Sequence, residues 1–557
     1  MQMDPLNAQD DEGVLRSLGY KQVLHRSWGA FTTTTITISA MSVLTSISAS
    51  FATGLTYGGP AVCIWGWLGV SFCMLCIALG MAELCSAYPT SGGMYYWQYR
   101  LAGRTSGPFA CWLTGWLNLL GQIAAVSAVA FLCSGLISTM ASMASTVGGA
   151  EHITFTPAQD LGIYGAVIFL VALLNSCGLH VLTLCTQAGG MFHLAGVLLL
   201  VLIVPLMATT HQPASWVFGH FESAQAESVG ITNYFNIAIL GLLLPAYSYT
   251  GMDGPCHMSE EVEGASMHPP KAILHGWAVM FVGGLSLIIS LLFSITSIES
   301  VLSEDSASGG NAVAQIMYDA AMQRFGTPHV GVGLMAVIIV GVFFCNVATM
   351  TYVSRILFCY SRDRAVPLSS LWLKVEPRTK SPIAAVWGVA LAAFCLGLPM
   401  LGSYTAFNAI LSLSTISLII VYVSPITARI TWGRNHFTPG PFNLGVWTYP
   451  IGAISTLWAL FSTVVFCLPI EMPVNTDNLN YAAAAFIGTC TISIGMFYFP
   501  VFGAYKWFKG PAHTVDDDSA HDKYEVAEGG KQVAGGAAAA GDARDVDVDV
   551  DVCAAAK

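Results

Sequence analysis

The sequence predicts an all-α integral membrane protein with twelve transmembrane helices, and three observations predict it. The 557-residue chain is 55% hydrophobic and only 10% charged, where soluble domains carry about 25% charged residues. Its mean hydropathy is +0.64. Twelve stretches are apolar over the roughly 20 residues that a bilayer-crossing helix needs. They lie near 31–54, 60–86, 108–143, 161–179, 183–208, 231–252, 273–297, 328–358, 382–401, 404–427, 448–469 and 481–504.

The third observation is how the basic residues sort. With the N-terminus cytoplasmic, 20 of the 21 Lys and Arg fall in inside segments and only Arg324 falls outside. Cytoplasmic loops carry this excess, and one missed span would scramble the sorting. Both termini are therefore expected in the cytoplasm, of a plasma or organelle membrane.

Residues 1–29 form a polar arm without the apolar run of a secretory signal. The transporter-like body is expected over 30–508. From 509 to 557 the chain turns acidic and repetitive, ending in DVDVDVDV. Such a composition cannot bury enough apolar surface to fold, so this tail is expected to be disordered and cytoplasmic. The net charge of −11 comes largely from the tail, and no basic patch points to nucleic acid.

The first span is unusual: between Thr32 and Thr56, 13 of 25 residues are Ser or Thr. A few hydroxyls bond back to helix carbonyls, but this many suggest a polar face. Thr45, Ser46, Ile47 and Ser48 sit mid-span, where local unwinding would present amides. A helix–helix interface of small residues is the bland alternative. In the second span, Cys73 and Cys76 have C-x-x-C spacing, read here as packing residues rather than a redox pair. In the third, Asn118 and Gln122 lie four apart on one face, either lining a cavity or gluing helices. His193 is the ionisable residue deep in the fifth span. It either cycles protons, its free pKa being about 6.5, or stays neutral against a first-span hydroxyl.

The sixth span holds Pro245, Gly251, Gly254, Pro255 and a carboxylate, Asp253. An Asp at bilayer depth costs roughly 2.5–3.5 kcal/mol on insertion scales, and broken backbone is tolerated there only when buried in protein or lining a cavity. Asp253 marks a site or caps a second half-helix. Broken first and sixth spans have the spacing of two five-helix repeats of opposite topology, with the ligand held at the breaks. Between spans seven and eight, Ala312–Phe325 has helical periodicity and is expected as a short amphipathic helix outside the membrane. Glu83, with Arg362 and Arg364, is a candidate inner-gate ion pair, or simply solvated.

Several segments, in order, carry a family resemblance: GGP at 58–60, ELCSAYPTSGGMYYW at 83–97, GWLNLLGQIA at 115–124, YSYTGMDGPCHMSEE at 247–261 and SRDRAVP at 361–367. Over about residues 15–510 the chain resembles the amino acid–polyamine–organocation superfamily. Within it the chain is most similar to the amino acid/choline permease family, with its GABA and choline permeases and bidirectional amino acid transporters. The resemblance implies a leucine-transporter-like fold of 5+5 inverted repeats plus two helices. It places Ser46, Ile47 and Ser48 where amides meet the substrate carboxylate, and Tyr247 where an aromatic closes over the substrate. Thr250, Gly251 and Met252 fall where carbonyls face the substrate amine, and Asp253 falls at an acidic position. In some proton-coupled members a Lys stands where His193 does.

The implied function is secondary active transport of amino acids, GABA and others, by alternating access, with a proton the coupling ion and the bilayer the surroundings. The alternatives are choline or another organic cation, caged by Trp116, Tyr247 and Tyr249, and a nutrient sensor. No Walker motif is present, the His residues are scattered, and neither a cofactor nor an enzymatic activity is expected.

Overall fold

The computed structural model describes residues 5–146, 153–379, 381–402, 404–475 and 478–512. The acidic tail, from residue 513 on, lies outside the described residues. Among them no strand forms beyond two isolated bridges.

The chain opens with α1 (Pro5–Ser17). The predicted first span is two helices, α2 (Ala30–Met41) and α3 (Val43–Thr56), followed by α4 (Gly59–Ala87). Pro60 opens α4, at a position whose N–H has no helical partner in any case. Next comes α5 (Met94–Ser145), which departs from helical geometry at Gly103 and carries Pro108. Then α6 (Pro157–Ser176) starts on a Thr156–Gln159 capping box, and α7 (Leu179–Met207) follows. Two short turns, α8 (Ala214–Gly219) and α9 (Ala224–Ser228), lead into the sixth span.

That span is three pieces: α10 (Tyr234–Gly241), α11 (Leu243–Ser248) and, past the break, α12 (Gly254–His257). Here the structure corrects an expectation. The second half-helix is a single turn, and turns continue to Met267.

The chain goes on through α13 (His268–Ser294), α14 (Ile298–Leu302), α15 (Ala312–Phe325) and α16 (His329–Arg362). The amphipathic helix forms over the expected residues, because the Asn311 side chain caps its first turn and Gly326 ends it in the left-handed region. It buries one face against α16 and α3. The remainder is α17 (Ser369–Trp372), α18 (Ile383–Gly397), α19 (Tyr404–Ile430), α20 (Thr448–Phe466) and α21 (Ala482–Tyr498).

Among the described residues ten helices are long and apolar enough to cross a membrane; the sixth and twelfth expected spans are shorter, at Tyr234–Ser248 and Ala482–Tyr498. The twelfth stops early because Pro500 pushes Phe499 into extended geometry. This is a multi-pass integral membrane protein.

The first span is the most enclosed, with 83% of its apolar window buried. α2 packs on α7, α13 and α16, and α3 packs on α11. Helix α5 packs against α19 and α16. A span so covered is the centre of the bundle, not its lipid face.

The N-terminal arm folds over one end of the bundle. The Ser27 and Trp28 amides both donate to the Glu261 carbonyl at 3.0 Å. Arg26 donates to the carbonyls of Ser259 and Val262, and the Asp11 carboxylate takes the amides of Gly264 and Ala265. The Tyr20 hydroxyl and the Ala512 amide both donate to Asp363. The two ends of the described chain therefore meet at the same end of the bundle, as an even number of crossings requires.

Candidate functional site

Two breaks face each other at the centre. In the first span the chain leaves the helix at Ser42 (φ 25, ψ 100), not at Thr45–Ser48 as expected. A hydroxyl at this position can itself cap the next helix, and Ser42 Oγ accepts the Thr45 amide at 3.1 Å. The amides of Val43 and Leu44 open α3 with no carbonyl of that helix to bond. Thr45, Ser46, Ile47 and Ser48 therefore form the first turns of an intact helix. Thr45 Oγ1 lies 2.6 Å from Ser42 Oγ, Ile47 is fully buried and Ser48 nearly so. Ser46 is partly exposed, and its hydroxyl donates to the Met41 carbonyl at 3.1 Å and to Ser248 O at 3.5 Å. One expected site residue thus links the two breaks.

The second break runs through Tyr249–Asp253. Gly251 has φ +89, and a Cβ there would stand 3.1 Å from the Ala40 carbonyl oxygen. The Gly251 turn therefore packs closely against the last turn of α2, just before the Ser42 break. Gly251→Ala pays about 1–2 kcal/mol for left-handed geometry and presses against the first span. We expect a lower Tm in detergent and reduced transport, whereas Gly326→Ala, with φ +67 and nothing within 4 Å of a Cβ, serves as the left-handed control.

Thr250 is partly exposed, with its hydroxyl on Tyr247 O at 2.9 Å, while Met252 is buried in the core. Tyr247 is partly exposed and meets Phe466 edge-on at 5.4 Å. Tyr249 is fully buried, bonded to Ser71 at 2.6 Å and packed on Trp67. It is therefore unavailable for the aromatic cage that an organic cation would need.

Asp253 is fully buried and does not cap α12 with its side chain. Oδ1 accepts the Tyr422 hydroxyl at 2.6 Å, and that hydroxyl accepts the Gly251 amide at 3.2 Å. Oδ2 accepts Gln122 Nε2 at 2.6 Å and lies 3.2 Å from His257 Nε2. Gln122 thus meets the break directly. Asn118, one turn away, donates to the Tyr360 hydroxyl at 3.0 Å. His193 reaches the first break instead, with Nδ1 3.1 Å from Ser42 Oγ.

Several buried polar atoms here have no protein partner: Asn118 Oδ1, Gln122 Oε1, His193 Nε2 and both amide atoms of Asn346. An unmade bond costs about 1–3 kcal/mol per group, so such a cluster suits a site that a ligand or water completes. Asn346 lies on the α16 stripe that also carries Tyr360, hence toward α5 (14 residues are close to four turns).

A family comparison decides what this arrangement belongs to: the amino acid permease family model matches residues 29–492. The chain is an amino acid permease by family. It is 39% identical over 504 residues to amino-acid permease BAT1 of Arabidopsis thaliana, covering 90% of this chain and 96% of that protein. A BAT1 homolog of Oryza sativa is 36% identical over 502 residues, at 90% and 95% coverage. An uncharacterized amino-acid permease of Schizosaccharomyces pombe is 31% identical over 517 residues, at 92% and 91%. Membership of this permease family brings the twelve-helix, leucine-transporter-like arrangement with it.

At the arm end of this permease, the expected pairing of Glu83 with Arg362 or Arg364 is not formed. Glu83 instead accepts the Thr448 hydroxyl at 2.8 Å and the Leu444 amide at 3.2 Å. Arg362 pairs with Glu260 at 2.9 Å, and Arg355 pairs with Glu261 at 2.8 Å. All four groups are buried. Sequence reading missed His257, Glu260, Glu261, Asn346 and Tyr422. His257 and the two acids lie within the same motif as Asp253, and Asn346 interrupts an apolar run, FFCNVA. Arg355, near the inner end of the 328–358 span, entered only the count of basic residues; it lies inside α16 and is buried.

Proposed function

We propose that this permease is a secondary active amino acid transporter working by alternating access, with GABA among its substrates and a proton as the coupling ion. The observation carrying the reading is the contact between two broken helices at the most enclosed point of the bundle. Half-helix N-termini favour an anionic group and freed carbonyls favour a cation, and an amino acid offers both. The substrate carboxylate is assigned to the Val43–Ser48 turn, with Thr45, Ser46, Ile47 and Ser48 as its wall. The amine is assigned to the backbone at Thr250, Gly251 and Met252, under Tyr247, with Asn118, Gln122 and Asp253 behind. The arm end is read as cytoplasmic from the basic-residue sorting, and the polar arm, the 30–508 body and the acidic tail are kept as the division of the chain.

The test is a radiolabelled uptake panel in proteoliposomes, with and without an imposed pH gradient and with choline as competitor. Saturable amino acid uptake supports the reading. Uptake of choline alone, or saturable binding without flux, sinks it.

Coupling is assigned to His193 and Asp253, one at each break. His193→Ala is expected to lower gradient-driven accumulation at least several-fold while measurable exchange remains. An unchanged accumulation ratio removes His193 from the coupling.

A further inference from the structure

We propose that Asp253 and His257 hold one shared proton and together form the proton-binding site of the transport cycle. This rests on the proton-coupled reading above and adds the residue that makes it chemically specific.

The hydrogen-bond bookkeeping carries it. His257 Nδ1 lies 3.0 Å from the Ser91 carbonyl oxygen, which can only accept, so Nδ1 carries a hydrogen. Nε2 lies 3.2 Å from Asp253 Oδ2. A bare ring lone pair and an ionised carboxylate repel, so a proton stands between them, on Nε2 or on Oδ2. The other donors to the carboxylate, Gln122 and Tyr422, are neutral. With the shared proton the pair has no net charge; without it, one negative charge is left where both side chains are 0% exposed. The exchange is the pair with its proton going to the deprotonated pair plus a free proton, and no other bond changes.

Among the described residues the carboxylate's one ion-pair partner is His257, so the left-over charge is held only by the neutral Gln122 and Tyr422 donors. Facing Asp253 are the Tyr352 and Tyr360 phenols of α16, the Tyr422 phenol of α19 and the Cys256 thiol on the same turn, with Cys85 of α4 behind that thiol. The nearby Arg355 and Arg362 are already committed to Glu261 and Glu260. A buried, unpaired charge is costly, so the deprotonated pair favours a conformation that admits water. The route to the arm-end closure is short. The Ser91 amide donates to Glu260 Oε1 at 3.1 Å, and Arg362 holds that same carboxylate. The pair and Glu260 are thus linked through the one residue Ser91.

The test uses the full chain in proteoliposomes with a trapped pH dye, given the panel's fastest labelled amino acid, from about pH 5.5 to about pH 7.5. Wild type is expected to acidify the lumen only when substrate is present. In His257→Gln, substrate-dependent acidification is expected to disappear, the accumulation ratio to fall to one and the pH profile to flatten. Exchange slows but stays measurable. Wild-type acidification in His257→Gln overturns the assignment, as does coupling lost in His193→Ala and kept in His257→Gln. Loss of exchange together with accumulation in both His257→Gln and His257→Asn makes the residue structural and also overturns it. Wild type that exchanges amino acid without moving protons removes the coupled reading, and this proposal with it, while leaving amino acid transport intact.

Discussion

Asp253→Asn is expected to cut initial uptake by roughly 100-fold while the protein still inserts and elutes as a single species. The carboxylate accepts from Tyr422 and Gln122 and lies 3.2 Å from His257 Nε2. An amide in its place must turn its NH2 toward one of those donors, losing charge-assisted bonds worth about 1.5–3 kcal/mol each. One such bond is a factor of roughly 10 to 100. The loss acts through the break: Tyr422 also takes the Gly251 amide, so a displaced phenol frees the backbone assigned to the substrate amine. Near-normal uptake by correctly inserted Asp253→Asn is the outcome that removes Asp253 from the site.

Arg355→Met is expected to be the most destabilising single change at the arm end. Arg355 is fully buried and Glu261 nearly so, joined at 2.8 and 3.4 Å. The guanidinium also bonds the Thr351 carbonyl and the Ser354 hydroxyl. Removing one partner of a buried pair leaves an uncompensated charge and costs about 3–5 kcal/mol. Thermal unfolding in detergent is expected to show a large fall in Tm for Arg355→Met and recovery of most of it in Arg355→Met/Glu261→Gln. A double variant no more stable than the single one argues against charge burial as the cause.

Much of the fold was legible because bilayer immersion leaves a coarse signal. An apolar run long enough to cross the bilayer reads from composition alone, and helical periodicity gives α15 over Ala312–Phe325. The site was legible only in part. Gly251 and Asp253 stand out because a membrane helix has little use for either, and Gln122 because it is polar in an apolar run. The first break was misplaced by three residues, since a hydroxyl-rich helix offers many positions at which Oγ can cap. Which one does so depends on the neighbour: at Ser42, His193 lies opposite. Glu83 went to Thr448 and Arg362 to Glu260, partners hundreds or about a hundred residues away in the chain, which no spacing reveals.

The sequence by itself determined that this chain crosses a membrane many times, that its first and sixth spans are interrupted and that it belongs with amino acid permeases. These follow from local composition and from motifs that stay contiguous. Tertiary structure decided which buried charge finds which partner, and that His257 rather than a capping bond faces Asp253. Those outcomes depend on distance in a low-dielectric interior, where an unpaired charge costs several kcal/mol and partners from remote helices compete for it.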